Sequence, residues 1–158
     1  MEEDVNFLQM AIQESTNSVM VGGFPAGAVL VLDGVVIGRG ISDGKNRHDA
    51  TSHAEVEAIR AASVELHKRD LKGSVVYASM EPCLMCFSAS YWAGVSRIVY
   101  ACRKKRLSKM HYEGLHDLDT INQNNNRSMD IVHLQGLEEE ALRIIRDWEA
   151  HLSNVTKR

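Results

Sequence analysis

At 158 residues, 44% of them hydrophobic and 25% charged, the chain has the size and composition of one ordinary globular domain, 1–158, with enough apolar mass for a real core, and a disordered polymer is excluded. Acids rather than basic residues open the sequence and no apolar run approaches membrane-spanning length, so a cytoplasmic protein without a leader or membrane partner is expected. Three cysteines, an odd number that includes a C-x-x-C pair, argue against a secreted disulfide framework, and a net charge of -3 gives no overall attraction to nucleic acid.

Val5, Leu8, Ile12, Ser15 and Val19 recur at helical spacing, which predicts an amphipathic helix from Asp4 to about Met20 with Asp4 as its cap and Gly22-Gly23 as its end. Ala28 to Leu32 is a continuous, β-branched run, Asp33-Gly34 is a two-residue hairpin signal, and Val35 to Gly40 resumes as strand. Ile41 to Ser52 turns polar and reads as a surface loop leading into a helix from His53 to about Leu66, with Thr51 or Ser52 available as cap. Val75 to Ser79 is a short strand; Glu81-Pro82 then opens a helix that closes at Gly94, and Arg97 to Cys102 is the next strand. The stretch from Arg103 to Ser128 is long, basic at first and Asn-rich later, with room for a crossover or lid and a short helix near Leu107 to Leu118. Met129 to Leu134 reads as the last strand. Leu137, Ala141, Ile144, Ile145, Trp148 and Leu152 then mark an amphipathic helix with Glu138, Glu139 and Glu140 at its favourable end. Alternating helices and strands after a hairpin predict an α/β fold, a mixed five-stranded sheet covered by helices on both faces.

His53, Cys83 and Cys86 supply one imidazole and two thiols, a donor set suited to tetrahedral Zn2+ with the fourth position left open, hence one catalytic zinc per chain. Helix-start placement of the cysteines also favours the thiolates that zinc requires. Glu55, two residues from His53, is placed to move a proton beside that open position. Taken alone, the C-x-x-C pair also fits a thiol redox couple at a helix start or a closed structural zinc site. Cys102 reads as a small core residue rather than a fourth ligand, and the remaining histidines lack ligand spacing, although His111 and His116 would line a lid.

His53-Ala54-Glu55 followed by Pro82-Cys83-Leu84-Met85-Cys86 resembles the cytidine and deoxycytidylate deaminase superfamily, whose H-x-E and P-C-x-x-C signature this is. Ala26 to Val31, Thr51 to Arg60 and Glu81 to Cys86 look like the branch that holds guanine, cytosine and tRNA adenosine deaminases; the resemblance covers residues 5–102 well and the rest loosely. It implies a three-layer α/β/α deaminase fold, hydrolytic deamination of an amino-heterocycle with Glu55 as proton shuttle, and substrate contacts from the backbone amides of Ala54 and Cys83. Many relatives carry an asparagine eleven residues before the zinc histidine, where this chain has Ser42; a hydroxyl holds a base less rigidly than an amide, so an altered substrate is expected unless Asn46 swings in from the same loop. Trp148 has two readings, core packing or, within an Asp147-Trp148-Glu149 ending like that of the cytosine deaminases, cover for the substrate pocket.

Three functions stay open. Tyr91-Trp92-Ala93 looks like the guanine deaminase branch and points to a small nucleobase or nucleoside substrate. Asn46-Arg47-His48-Asp49 and the basic segment Arg97 to Met110 point to RNA, a tRNA adenosine deaminase, although a solvated surface is the plainer reading of that charge run. A non-catalytic zinc-stabilised module is the third. A homodimer is expected by resemblance, with Phe87, Tyr91 and Trp92 on an apolar helix face as its candidate interface.

Overall fold

The computed structural model describes residues 2–156. Its regular elements are α1 (Glu2–Met20), β1 (Phe24–Leu32), β2 (Val35–Ser42), α2 (Gly44–Arg47), α3 (Ala54–Leu66), β3 (Val75–Met80), α4 (Leu84–Trp92), β4 (Arg97–Cys102), α5 (Leu118–Gln123), β5 (Asp130–His133) and α6 (Glu138–Thr156). The strands form one sheet in the order β2-β1-β3-β4-β5, in which β1 is antiparallel to both its neighbours while β3, β4 and β5 run parallel. The long segment after β4 is what allows that last parallel pairing.

Alternation along the strands splits the core in two. Val29, Val31, Tyr77, Val99 and Ala101 face Phe7, Leu8, Ala11 and Ile12 of α1 and Ala141, Leu142 and Ile145 of α6. Ala28, Leu30, Val76, Ala78 and Ile98 face Ala54, Ala58 and Ala62 of α3, Phe87 of α4 and Leu118 of α5. Period-2 strands sandwiched between period-3.6 helices give the three layers expected from the sequence. The hairpin turn at Asp33-Gly34 has positive φ at both residues, 50° and 74°, as a two-residue turn matched to strand twist requires. Among the described residues no helix is long and apolar enough to cross a membrane.

The approach of α3 to β2 positions the site, and it depends on small residues. A Cβ at Gly40 would fall on the Ala54 carbonyl oxygen and beside the Ala58 amide nitrogen, and one at Gly38 on the Ala58 carbonyl oxygen. Gly40→Ala therefore pushes the first turn of α3 off the sheet; the expected loss is about 1–3 kcal/mol in urea unfolding, the usual cost of overpacking, together with weaker metal binding because His53 adjoins that turn. Unchanged stability and zinc affinity in this variant would mean the contact relaxes without cost.

Several local expectations are corrected. Asp4 does not cap α1, which already begins at Glu2; it sits inside the helix, ion-paired with Arg97 at 2.8 Å and accepting from the Tyr77 hydroxyl at 2.8 Å. Burial alone would push the Asp4 carboxyl up, but hydrogen bonds from Arg97 and Tyr77 together hold it below its ordinary value. The loop from Ile41 to Ser52 carries the short α2, and neither Thr51 nor Ser52 caps α3: His53 is the N-cap, while Thr51 bonds the Asp49 carboxylate. No helix spans Leu107 to Leu118; one 3-10 turn, Lys104–Arg106, precedes that stretch and another, Lys109–His111, lies within it, and α5 starts only where Asp117 accepts from the Asp119 amide. In the Asn-rich loop, the Asn122 side chain exchanges two hydrogen bonds with the Met129 backbone, at 2.7 and 2.9 Å, and staples the loop to the start of β5. Phe87 is buried in the core rather than on an exposed helix face, where only Trp92, 80% exposed, is fully presented to solvent.

The basic run after β4 is a greater departure. Arg103 and Arg106 pair with Glu138 at 3.1 and 3.2 Å, Arg106 also reaches Glu139 at 2.7 Å, and buried Lys104 pairs with Glu81 at 3.1 Å. The acids that open α6 thus pair two of the four cations expected to attract a phosphate backbone, and Glu81 pairs a third, the buried Lys104.

Candidate active site

β3 delivers Met80 at its carboxyl end, after which Glu81 donates its backbone amide to the Cys102 carbonyl and the chain turns through Pro82 into α4. Cys83 is the N-cap of that helix, with extended backbone, and Cys86 lies within its first turn. On the neighbouring element His53 is likewise the N-cap, of α3, and Ala54 and Glu55 begin the helix proper. Two helix starts therefore meet beyond the carboxyl end of a central strand, a general place for sites in α/β sheets.

His53 Nδ1 lies 3.5 Å from Cys83 Sγ and 3.6 Å from Cys86 Sγ, and one donor atom from each of the three residues lies within 4.8 Å of the others. Zinc at about 2.3 Å from sulfur and about 2.0–2.1 Å from nitrogen, with tetrahedral angles, places N and S donors about 3.6 Å apart. The donor set fits Zn2+ in chemistry and in spacing. Cys102 is no part of it: its buried thiol is pushed up to about 12, chiefly by burial, and its Sγ faces the Arg103 carbonyl at 3.6 Å. Within the group, a hydrogen bond from Cys86 is the largest influence drawing the Cys83 thiol down to about 4, while the same contact and burial push Cys86 up. The His53 imidazole is raised chiefly by its contact with Cys83.

Glu55 is 7% exposed and lines the pocket over this group without contributing a donor to it. Burial pushes its carboxyl up, and Cys83 adds to the effect. The pocket encloses about 230 Å3, with Ala54, Met80, Glu81 and Ser42 on its walls together with Phe24, His111 and Tyr112. Ser42 is brought to the pocket edge. Asn46 is not: its amide donates to the Val21 carbonyl at 2.9 Å and to Asp43 at 2.7 Å, so the α2 turn takes up the group that was to swing inward. Trp148 borders a neighbouring depression of about 400 Å3 that shares Phe24, Ser42 and His53 with the pocket, and its ring meets Phe24 edge-on with centroids 5.2 Å apart. It flanks the pocket mouth rather than covering it.

Three contributors have no spacing signal in the sequence. Glu113 accepts from the Leu84 amide at 2.7 Å and so caps the helix whose N-cap is Cys83. Tyr112 lines the pocket and donates to the Glu81 carbonyl at 2.9 Å. Lys104, through its ion pair and its backbone amide, fixes the Glu81 carboxylate at the entrance to the cysteine turn. All three come from the segment after β4, which reads as a crossover or lid with a short helix, and nothing in it marks these residues until their partners across the pocket are seen.

Residues 1–102 match the family model described as the cytidine and deoxycytidylate deaminase zinc-binding region. Over 108 residues the chain is 36% identical to a tRNA-specific adenosine deaminase of Buchnera aphidicola, covering 68% of this chain and 67% of that protein. Over 96 residues it is 42% identical to the guanine deaminase of Bacillus subtilis, covering 60% and 62% of the two chains. A structure from a study of A-to-I editing by tRNA:A34 deaminases superposes with a TM-score of 0.77 at 29% identity, covering 89% of this chain and 99% of that one. With the family match spanning most of the chain and the zinc donors assembled at two helix starts, the protein belongs to the cytidine and deoxycytidylate deaminase family and is a zinc-dependent hydrolytic deaminase.

Proposed function

We propose that the protein deaminates a small amino-substituted heterocycle, a nucleobase or nucleoside with guanine as the first candidate, to the corresponding keto compound with release of ammonia. The observation that carries this reading is the pocket itself: about 230 Å3 over the metal-binding group, below the roughly 300–1,000 Å3 of sites that hold larger ligands. The neutralised basic run supports it, since a chain of net charge -3 with Arg103, Lys104 and Arg106 already paired offers little to a phosphate backbone. Ser42, one hydroxyl in place of an amide, argues against efficient work on ordinary cytosine and for a larger or modified ring.

In this reading His53, Cys83 and Cys86 hold the zinc. When bound, the metal supplies a Lewis acid that lowers the pKa of a water at its open position. The chain's own residues do the rest. Glu55 takes one proton of the attacking water and passes it to a ring nitrogen of the substrate; it then carries the second, from the new hydroxyl, to the amine, so that the carbonyl forms as the C–N bond breaks and ammonia leaves. A dry carboxyl suits that shuttle because solvent does not compete for the proton in transit. The amides of Ala54, in the first turn of α3, and of Cys83, at the N-cap of α4, have no partner inside their helices and are free to orient the heterocycle's polar atoms. Phe24 and Tyr112 supply flat apolar walls. Association of two copies through the face bearing Trp92, exposed at 80%, belongs to the same reading.

A second reading, adenosine deamination in tRNA, is favoured by the extent of the match to the Buchnera relative and the A34 deaminase structure. Ammonia release by the zinc-loaded protein from guanine, adenine, cytosine, their nucleosides and an anticodon stem-loop separates the two. The proposal predicts turnover of at least one free base or nucleoside. Release from the stem-loop alone would replace it with the second reading.

A further inference from the structure

One residue of the pocket wall is left unassigned by the chemistry above. His111 lines the pocket but is not one of the three donors that converge on the metal position. It ends the 3-10 turn Lys109–His111, whose N-cap Ser108 accepts from the Met110 amide. Its ring packs against Phe24 with centroids 4.9 Å apart and against the edge of Trp148 at 5.9 Å, leaving the side chain 14% exposed. Nε2 lies 2.8 Å from the Glu149 carboxylate, thirty-eight residues away on α6.

That contact decides the tautomer. A carboxylate only accepts, so the shared proton sits on Nε2; with the ring neutral, the lone pair is then on Nδ1. Nδ1 has no hydrogen-bond partner among the described residues. The ring is thus held in place by two aromatic neighbours and held in tautomer by Glu149, with its second nitrogen unbonded on a residue that lines the pocket.

We infer that His111, oriented by Glu149, is a specificity-determining residue that accepts a hydrogen bond from the ring N–H at the glycosidic position of a free base. The inference rests on the small-heterocycle reading and narrows it. With the reacting amino carbon at the metal end, C4 of cytosine or the amino-bearing carbon of a purine, the glycosidic nitrogen lies across the ring system from it. In the free base that nitrogen bears hydrogen and can donate. In a nucleoside it bears the sugar carbon, the donor is gone, and Nδ1 is left desolvated without a partner. An unmade buried hydrogen bond costs about 1–3 kcal/mol, enough for the pocket to prefer bases over nucleosides by about tenfold or more. Glu149 is a positioning residue, since it acts only through the imidazole.

The test is equilibrium binding, by calorimetry on the zinc-loaded chain in a Glu55→Gln background so that no ligand turns over. Guanine, adenine and cytosine are each compared with the derivative methylated at the glycosidic nitrogen. The expected result is about tenfold tighter binding of the unmethylated base by the parent, a ratio near one in His111→Phe, which keeps a ring against Phe24 and Trp148, and zinc content unchanged. Glu149→Gln should keep the ratio, because its amide oxygen still accepts from Nε2, while Glu149→Leu should lose it. A ratio that survives His111→Phe, an equal loss of affinity for both members of each pair, or no binding of any base would each overturn the inference. Failure of the small-heterocycle reading shows itself separately, as ammonia released by the wild type from the stem-loop alone.

Discussion

Glu55→Ala lowers turnover of any deaminated substrate by about two to four orders of magnitude, the range expected when a positioned proton carrier is removed, while zinc content and thermal unfolding stay those of the wild type. The two outcomes separate because Glu55 lines the pocket over the metal-binding group without belonging to it. Its place in the first turn of α3, two residues after His53, carries the carboxyl to the substrate side of the group while the rest of the helix packs on β2 through Ala54, Ala58 and Ala62. Shortening a side chain at that rim leaves the packing intact. Steady-state kinetics with elemental analysis on the same sample checks the claim, and retention of most of the activity would remove Glu55 from the mechanism.

Cys86→Ser is expected to abolish metal binding rather than chemistry alone. Cys86 is fully buried, its sulfur sits 3.6 Å from His53 Nδ1, and its backbone is fixed within the first turn of α4, so no movement can bring a shorter hydroxyl to the position the thiol occupies. A serine hydroxyl also stays protonated where a thiol ionises on binding zinc. Loss of an outer-shell partner usually costs about 10–100-fold in metal affinity, and loss of a ligand should exceed that. Zinc per chain after dialysis should fall from one to a trace. Full occupancy in Cys86→Ser would mean that the ligand set is not His53, Cys83 and Cys86.

The metal site and the sheet were legible in the sequence because both are local facts. The continuous apolar runs Ala28 to Leu32 and Val75 to Ser79 mark strands without reference to anything else, and His53, Cys83 and Cys86 each stand at the start of a helix whose own pattern is plain. What was not legible depends on distant partners. Arg103 to Arg106 reads as an open basic patch until Glu138 and Glu139 return from the far end of the chain and pair with it. Asp4 looks like a helix cap until Arg97 is seen beside it. Phe87 and Trp92 belong to one short helix, and only the position of α3 decides that the first is core and the second surface. The wall made by His111, Tyr112 and Glu113 comes from 3-10 turns and loop, which have no periodicity to read.

The most direct measurement of the central claim is the fate of solvent oxygen. Hydrolytic deamination at this site replaces the amino group of a small heterocycle with oxygen from water, so turnover in 18O-enriched water should place one labelled oxygen in the product for each ammonia released, at the carbon that carried the amine. Mass spectrometry of the product beside an ammonia assay gives both quantities from one reaction. The account predicts equal amounts in the wild type, and neither above background in Glu55→Ala or Cys86→Ser. Ammonia released without labelled product, or labelled product formed equally by Cys86→Ser, would contradict it.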